Sequence, residues 1–210
     1  MNNSGGLTSF VYDRLREDIL SGAYSAGEAI TELGVSRELA VSRTPVREAL
    51  RQLELAGLVE ITPNKGAVVI GITEDDIRDV YEIRAKIERG AAERAAKNAT
   101  DEDIAKLTDI VELSEFYASR GKIEQLRGID GSFHTQVYKM SGSKIFDHVL
   151  GELHSYVSRW RENSLRTHSR AEASVHEHRQ ILEAIKSHDA ALAGDLATLH
   201  VKNAAENMLK

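Results

Sequence analysis

Residues 41–51 read VSRTPVREALR, and their pattern is that of a helix beginning near Ser42. Ser42 and Thr44 can both cap a helix, and Pro45 fits the first turn, where its missing N–H costs no hydrogen bond. Apolar residues then recur at the spacing of one helix face, namely Val46, Ala49, Leu50 and Leu53. The other face carries three arginines, Arg43, Arg47 and Arg51. The sequence therefore predicts an amphipathic helix with an arginine stripe.

This arginine stripe is suited to nucleic acid. Arg47 and Arg51 are one turn apart and project from the same side, while Ser42 and Thr44 lie at the positively polarised N-terminus. Such a helix end can contact a phosphate or a base edge. The window alone leaves open a second interpretation, an ordinary surface helix whose arginines face water.

The composition of the whole chain narrows the class of protein. The 210 residues include no cysteine, which excludes disulfides, thiol catalysis and thiolate metal sites. No apolar run approaches the roughly 20 residues of a membrane span, and the N-terminus does not resemble a signal peptide, so we expect a cytoplasmic protein. The net charge of −6 argues against a protein that coats nucleic acid through its overall field. Any contact with DNA must come from a local basic patch.

The segments around the stripe predict a small DNA-binding domain. A first helix is expected over 8–21 and a second over 31–39, which places Arg37 at the end of the second helix and a turn near Ala40. After Gly57, the β-prone runs 58–62 and 67–70 flank the turn residues Pro63, Asn64, Lys65 and Gly66. Three helices and a β-hairpin are the layout of a winged helix-turn-helix, with the third helix in the major groove and Lys65 at the wing tip.

Residues 12–69 also resemble a known family. The elements that carry the likeness are Tyr24-(x2)-Gly27-Glu28, the run Val41 to Leu50, Leu53-(x3)-Gly57-Leu58 and Lys65-Gly66. Together they resemble the GntR family of bacterial transcription regulators. One departure is Ala40, where the family often has glycine; alanine fits the turn at modest cost if its φ is negative. We expect DNA contacts from these residues: Arg37, Ser42, Arg43, Thr44, Arg47, Lys65 and Gly66.

The remainder of the chain predicts a second, all-helical domain. Residues 73–76, Thr-Glu-Asp-Asp, form a capping sequence that opens a long helix, so we place the domain boundary between residues 72 and 73. Further helices are expected over 101–119, 123–141, 143–165, 171–187 and 189–208. Their short connections favour an antiparallel bundle. The predicted fold is mainly α: a winged helix-turn-helix domain (1–72) with a small β-hairpin, followed by an all-α antiparallel helical bundle (73–210).

Helical spacing separates the eight histidines into inward and outward positions, except for His154, which it leaves unassigned. Asp130 and His134 share the apolar face of one helix, one turn apart. His178 is in register with apolar residues whereas His176 is not, and His200 follows Leu196 by four positions. Asp130, His134, His178 and His200 would offer one oxygen and three nitrogen ligands, a set suited to Zn²⁺, with Ni²⁺ and Mn²⁺ as alternatives. The opposing interpretation is that each is a hydrogen-bonded core residue.

These residues extend the resemblance over nearly the whole chain. The segment from Asp130 to His134, the segment from Glu177 to Asp189, and His200 resemble the all-helical effector domain of the FadR-like branch of the family, closest to its VanR-type group. In that branch an aspartate and three histidines hold a metal. A cavity arginine there commonly meets an effector carboxylate, which implies that role for Arg84, with Arg159 as a second candidate. Arg84 lies in an apolar stripe, where a salt bridge to Glu88 is the alternative.

The function we predict is a ligand-responsive DNA-binding regulator, expected to repress a metabolic operon. A homodimer would bind double-stranded operator DNA, and the helical domain would bind a divalent metal and a small organic acid that alters operator binding. One rival is a metal-dependent hydrolase that uses the aspartate and three histidines. Another is a purely structural metal. The sequence names neither the effector nor the operator.

Overall fold

The computed structural model describes residues 4–62, 66–164 and 168–208, with the side chains of 4, 5 and 158–169 left out of the description. The chain folds into two compact units, Met1–Glu74 and Asp75–Lys210. The described residues form nine helices and a three-stranded antiparallel sheet. The prediction of a mainly helical protein with a small β element is confirmed. No helix in the described residues is long and apolar enough to cross a membrane.

The first unit contains three helices and the sheet. The helices are α1 (Ser4–Ser21), α2 (Glu32–Glu38) and α3 (Arg43–Leu55), and the strands are β1 (Ala29–Ile30), β2 (Val59–Thr62) and β3 (Gly66–Val69). The predicted hairpin is β2 with β3, which pair from Val59 with Val69 to Thr62 with Gly66. The expectation differed in two respects. Helix α1 begins at Ser4 and not near Thr8, and the short strand β1 adds a third member to the sheet, in the order β1-β3-β2.

Helix α3 packs on α1 through the apolar face that its sequence predicts. Pro45, Val46, Ala49, Leu50 and Leu53 are all buried, and so are Val11, Leu15 and Ile19 of α1. Ser42 is the N-cap by its extended backbone, yet its side chain makes no capping hydrogen bond. The hydroxyl of Ser42 is exposed, so it stays at the surface beside the helix N-terminus.

The turn between α2 and α3 has an unusual backbone. Ala40 has a φ of +52°, so the condition under which alanine would fit this turn at modest cost, a negative φ, is not met. A left-handed conformation costs an L residue about 1–2 kcal/mol because Cβ approaches a carbonyl oxygen. The surrounding contacts hold the turn: Ser36 Oγ donates to the Val41 carbonyl at 2.6 Å, and the Val41 N–H donates to the Ser36 carbonyl at 3.1 Å.

The second unit is all-helical in the described residues. Its helices are α4 (Glu74–Asn98), α5 (Asp101–Ser119), α6 (Ile123–Met140), α7 (Lys144–Ser164), α8 (His168–Lys186) and α9 (Ala190–Met208). Helix α5 begins with a capping box in which Thr100 accepts from the Asp103 N–H and Asp103 accepts from the Thr100 N–H. The loops between helices are short, as expected for antiparallel neighbours.

One core of the bundle draws on five helices. Its buried members include Ala92 of α4, Leu107 of α5, Phe133 of α6, Leu182 of α8 and Ala197 of α9. A smaller cluster packs Leu150 of α7 against Ala91 and Tyr138. Alanines at the contact face of α4 let neighbouring helices approach closely. The inner faces of α6, α8 and α9 meet in this core, so polar residues on those faces lie close together.

Candidate functional site

Three buried histidines converge in the helical bundle. His134 of α6, His178 of α8 and His200 of α9 are each at most 3% exposed, and one ring nitrogen of each lies within 4.8 Å of the others. Their ring centroids are 4.7–5.1 Å apart. His178 is buried and His176 is exposed, which is the orientation that helical spacing predicts. The donor set is three imidazole nitrogens, ligands that Zn²⁺ and other divalent transition metals accept.

Asp130 lies at the edge of this cluster. It is 5% exposed, one turn before His134 on α6, and its Oδ1 is 3.9 Å from His178 Nε2. That distance exceeds a hydrogen bond. The converging set in the described residues therefore consists of the three histidines, with the Asp130 carboxylate next to it.

Carboxylates lie beside Nδ1 of two of the three histidines. His200 Nδ1 is 2.6 Å from Glu177 Oε2, and His134 Nδ1 is 3.5 Å from Glu88 Oε2. A carboxylate beside one ring nitrogen of a histidine fixes the ring and makes the other ring nitrogen a better metal ligand. His134 Nε2 is buried and has no hydrogen-bond partner among the described residues. An orphaned buried nitrogen costs about 1–3 kcal/mol, which a bound cation would offset. The residues present fit a divalent metal.

Glu177 is the residue that sequence reasoning missed here. It accepts two hydrogen bonds from Arg170, at 2.9 and 3.1 Å, and one from Asn203 at 2.9 Å, besides its contact with His200. Burial alone would raise the pKa of Glu177, but the hydrogen bonds from His200, Arg170 and Asn203 outweigh it and lower that pKa to about 2. Glu177 is therefore a carboxylate at neutral pH. Its sequence signals were its position next to His178 and its place at the start of the segment that resembles the family, and neither indicates a contact with His200.

Arg84 forms the salt bridge that was the alternative to effector binding. Both side chains of the pair are almost fully buried, and Glu88 Oε1 is 2.7 Å from Arg84 Nε and 2.6 Å from Nη2. Tyr138 also donates to Glu88, at 2.9 Å. Burial raises the pKa of Glu88, yet Arg84, His134 and Tyr138 together hold it well below its usual range. One Arg84 donor, Nη1, is buried without a hydrogen-bond partner in the part of the chain that is described.

The surroundings of the cluster are tight. His154 of α7, unassigned by the sequence, has its ring 5.3 Å from that of His134, and burial, with smaller effects of His134 and Arg84, lowers its pKa to about 3. The cavity between His134, His200 and Tyr138 has a volume of about 10 Å³, room for one water or ion. The side chain of Arg159 lies outside the described residues.

The arginine stripe of α3 is exposed on the first unit. Arg43, Thr44 and Arg47 all reach solvent, as does Arg37 at the end of α2. Arg47 makes a bidentate hydrogen bond to Glu32 of α2, with Nε 2.8 Å from Oε1 and Nη2 2.9 Å from Oε2. Gly66 opens β3 with a φ of +89°, and Lys65 lies outside the described residues. The described part of this surface presents arginines and the exposed N-terminus of α3, as a DNA contact requires.

Comparison with known proteins covers both units. Residues 7–69 match the family described as bacterial regulatory proteins, gntR family, and residues 79–203 match the FCD domain. The HTH-type transcriptional repressor RspR of Escherichia coli (strain K12) is 26% identical over 208 residues, covering 99% of this chain and 91% of the relative. The Uxu operon transcriptional regulator of the same strain is 29% identical over 220 residues, covering 93% of this chain and 84% of the relative.

A solved structure shares the fold. The structure described as E. coli McbR/YncC superposes with a TM-score of 0.78 at 20% sequence identity, covering 100% of this chain and 98% of that one. A putative GntR transcriptional regulator from Rhodococcus sp. RHA1 gives a TM-score of 0.69 at 22% identity, with 96% and 97% coverage. At these identities the likeness establishes the architecture of the chain.

Proposed function

Because the chain belongs to the GntR family of bacterial transcription regulators, in its FadR-like branch with a C-terminal FCD domain, we propose that it is an operon repressor whose helical unit senses a small organic acid through a bound divalent metal. Its family and its relatives are transcription regulators and not enzymes, so the hydrolase alternative is set aside. A regulator of this kind works on operon DNA, in the cytoplasm.

The metal proposal rests on one observation, the convergence of three buried histidines, two of which have a carboxylate beside Nδ1. His134, His178 and His200 would hold the ion, and Asp130 is close enough to His178 to join them after a small movement. A bound divalent metal would supply a Lewis-acid position for an anionic group. Three imidazoles with an oxygen ligand favour Zn²⁺, with Ni²⁺ and Mn²⁺ as alternatives.

The effector proposal rests on Arg84. This guanidinium is buried beside the cluster, is neutralised on one side by Glu88, and keeps Nη1 without a partner among the described residues. A small organic acid would place one carboxylate near the metal and another acceptor on Arg84 Nη1, with Arg159 as a second candidate contact. The cavity of about 10 Å³ is too small for such a molecule, so side chains around His134 and Tyr138 must rearrange on binding. That rearrangement is a route by which an effector changes operator affinity, a coupling of about 1–3 kcal/mol.

The DNA proposal rests on the exposed arginine stripe of α3. Arg43 and Arg47 would contact base edges, while Ser42, Thr44, Arg37 and the wing residues Lys65 and Gly66 would contact phosphates or the groove. A homodimer would place two such units on an operator with two half-sites. Phosphate contacts make binding depend steeply on salt, so affinities are compared at one salt concentration.

The metal and the effector are tested together by thermal shift. Protein of known metal content is screened against organic acids with and without chelator, using His178→Ala as the test variant and His176→Ala, an exposed neighbour on α8, as the control. A melting temperature raised by an acid only when metal is present supports the sensor, because a ligand that binds the folded state stabilises it. Metal retained by His178→Ala contradicts the proposed site. Full metal occupancy without any acid response favours a structural ion.

The DNA site is tested by operator binding of Arg47→Ala at fixed salt. We expect a loss of about 5- to 150-fold, because one bidentate base contact contributes about 1–3 kcal/mol. Arg179→Ala is the control, since Arg179 lies in the helical unit and makes the same two-atom contact with a carboxylate, that of Glu115. Wild-type affinity of Arg47→Ala contradicts the proposed recognition helix.

A further inference from the structure

Arg47 is already held in place by a residue of the preceding helix. Its guanidinium makes two parallel hydrogen bonds to Glu32, 15 residues earlier, of 2.8 and 2.9 Å. The backbone of Glu32 is fixed, because Glu32 is the first residue of α2 and Thr31 caps that helix by accepting from the Gly34 N–H at 3.1 Å. A carboxylate in the first turn is also stabilised by the helix dipole. The side chain of Arg47 therefore starts from one defined orientation.

The pair contributes little to folding. Arg47 and Glu32 are 53% and 29% exposed, and ion pairs this exposed to solvent contribute little to stability. It also places a negative charge beside a helix that is proposed to meet phosphates. A surface that binds DNA would be more attractive to phosphate without that charge. Stability and overall charge thus give no reason for Glu32, and its effect on the geometry of Arg47 does.

The geometry leaves a specific set of donors free. A guanidinium has five N–H groups, and Glu32 engages Nε–H and one N–H of Nη2. What remains is the end of the fork, Nη1 and the second N–H of Nη2. Two parallel donors at that end match the O6 and N7 acceptors of guanine in the major groove, which no other base offers as an acceptor pair.

We propose that Glu32 is a positioning residue that fixes Arg47 for end-on recognition of a guanine in the operator. This inference rests on the proposed DNA-binding function. Glu32 touches Arg47 and acts on the base only through it. Holding the arginine before binding removes part of the rotamer entropy that would otherwise be lost at the interface. It also prevents the side chain from swinging to a phosphate, where it would contribute affinity without discrimination.

The experiment uses the full chain and an operator selected with the wild-type protein from random duplexes. Each guanine is replaced in turn by 7-deazaguanine, which lacks the N7 acceptor, and the loss of affinity is measured at fixed salt. The guanine read by Arg47 is the one whose replacement no longer matters in Arg47→Ala. For the wild type we expect a loss of about tenfold at that guanine, as one bidentate contact implies.

Two variants separate geometry from charge. Glu32→Gln removes the charge, and Glu32→Asp keeps it but is one methylene too short to hold both nitrogens. We expect the 7-deazaguanine penalty at the Arg47 guanine to fall to about threefold or less in both, while affinity for a non-specific duplex is unchanged or higher for Glu32→Gln. Glu48→Gln, the same change of charge on the recognition helix, is the control and retains the full penalty; Glu48 contacts Arg51 and not Arg47. Partial unfolding lowers affinity for both duplexes equally and leaves the penalty unchanged.

The outcomes distinguish this inference from the function it rests on. A full penalty in both Glu32 variants overturns the positioning role while leaving Arg47 as a base contact. A reduced penalty in Glu32→Gln but not in Glu32→Asp also overturns it, since charge alone would then be responsible. If no guanine depends on Arg47, the recognition helix itself is wrong and both proposals fall. In the Arg47→Ala background, Glu32→Gln must leave the penalties at every guanine unchanged for the inference to stand.

Discussion

Replacing Arg84 by methionine should destabilise the helical unit severely. The side chains of Arg84 and Glu88 are 2% and 5% exposed, and Glu88 receives two close contacts from the guanidinium. Methionine keeps most of the volume but leaves a buried carboxylate whose remaining partners among the described residues are Tyr138 and His134. Removing one partner of a buried pair costs about 3–5 kcal/mol. A domain is stable by only about 5–15 kcal/mol, so this variant loses a large share of that.

The double variant Arg84→Met with Glu88→Met shows whether the cost comes from the unpaired charge. Without either charge, the main loss is the acceptor of the buried Tyr138 hydroxyl, about 1–3 kcal/mol. The double variant should therefore be at least as stable as either single one, and the two single costs should exceed it in sum by about 3 kcal/mol or more. Arg179→Met is the exposed control. Arg179 forks onto Glu115 at 2.8 and 2.7 Å, but that pair is partly exposed and should cost only about 0.2–1 kcal/mol.

Urea unfolding followed by tryptophan fluorescence measures these differences. Trp160 is the single tryptophan and belongs to α7, so its signal reports on the helical unit. All variants are measured in chelator, which removes any contribution of bound metal. The reasoning is refuted if Arg84→Met is no less stable than Arg179→Met, or if the two single costs simply add in the double variant.

Three other changes should have measurable effects on stability. Chelation should lower the melting temperature of the wild type and leave that of His134→Ala unchanged. If the metal was present at 100 times its Kd, the wild type should lose about 2.7 kcal/mol in its free energy of unfolding. Equal sensitivity of the two proteins to chelator would contradict the site. Ala40→Gly should stabilise the first unit by about 0.5–1 kcal/mol, because glycine adopts a φ of +52° without the strain that alanine has there. Urea unfolding followed by circular dichroism measures this change. A loss of stability would show that Ala40 is not strained. Gly194→Ala should lower the free energy of unfolding by about 1–3 kcal/mol in the fluorescence assay, because the new Cβ would lie 2.7 Å from Glu93 Cγ. Gly151→Ala is the control, since its Cβ would meet nothing within 4 Å and should cause no loss. Similar effects of the two changes would show that the Glu93 side chain moves aside.

The sequence predicted the elements whose signals are local. Helix α5 runs from Asp101 to Ser119 as predicted, because Thr100 and Asp103 form a capping box and the chain then follows a regular apolar period. The hairpin of β2 and β3 followed from two β-prone runs around one turn. Strand β1 was missed because two residues, Ala29 and Ile30, show no periodicity. Their strand character comes from pairing with Val68 and Ala67, which are nearly 40 residues away.

The candidate sites also combine features that the sequence predicts locally with contacts between distant residues that it does not predict. Periodicity indicates which way a side chain points, so it separated buried His178 from exposed His176 and marked the inward Arg84. It also allowed the contact of Arg84 with Glu88, because residues four apart share a helix face. It carries no information about a partner on another helix. Glu177 meets His200 from 23 positions away.

The acids that hold Arg47 and His200 from another helix were therefore the least predictable part of the two sites. Glu32 and Glu177 each lie on a helix surface, where an isolated carboxylate in a sequence is normally assigned to solvent. In the fold, each accepts two hydrogen bonds from one arginine guanidinium, and Glu177 also orients the ring of His200. An arginine can be proposed as an anion or base contact, and a histidine as a metal ligand, from the sequence alone, because each side chain has the chemistry that the role requires. The carboxylate that fixes its direction is recognisable only from distances, and in this chain those acids give the proposed contacts a defined geometry before any ligand binds.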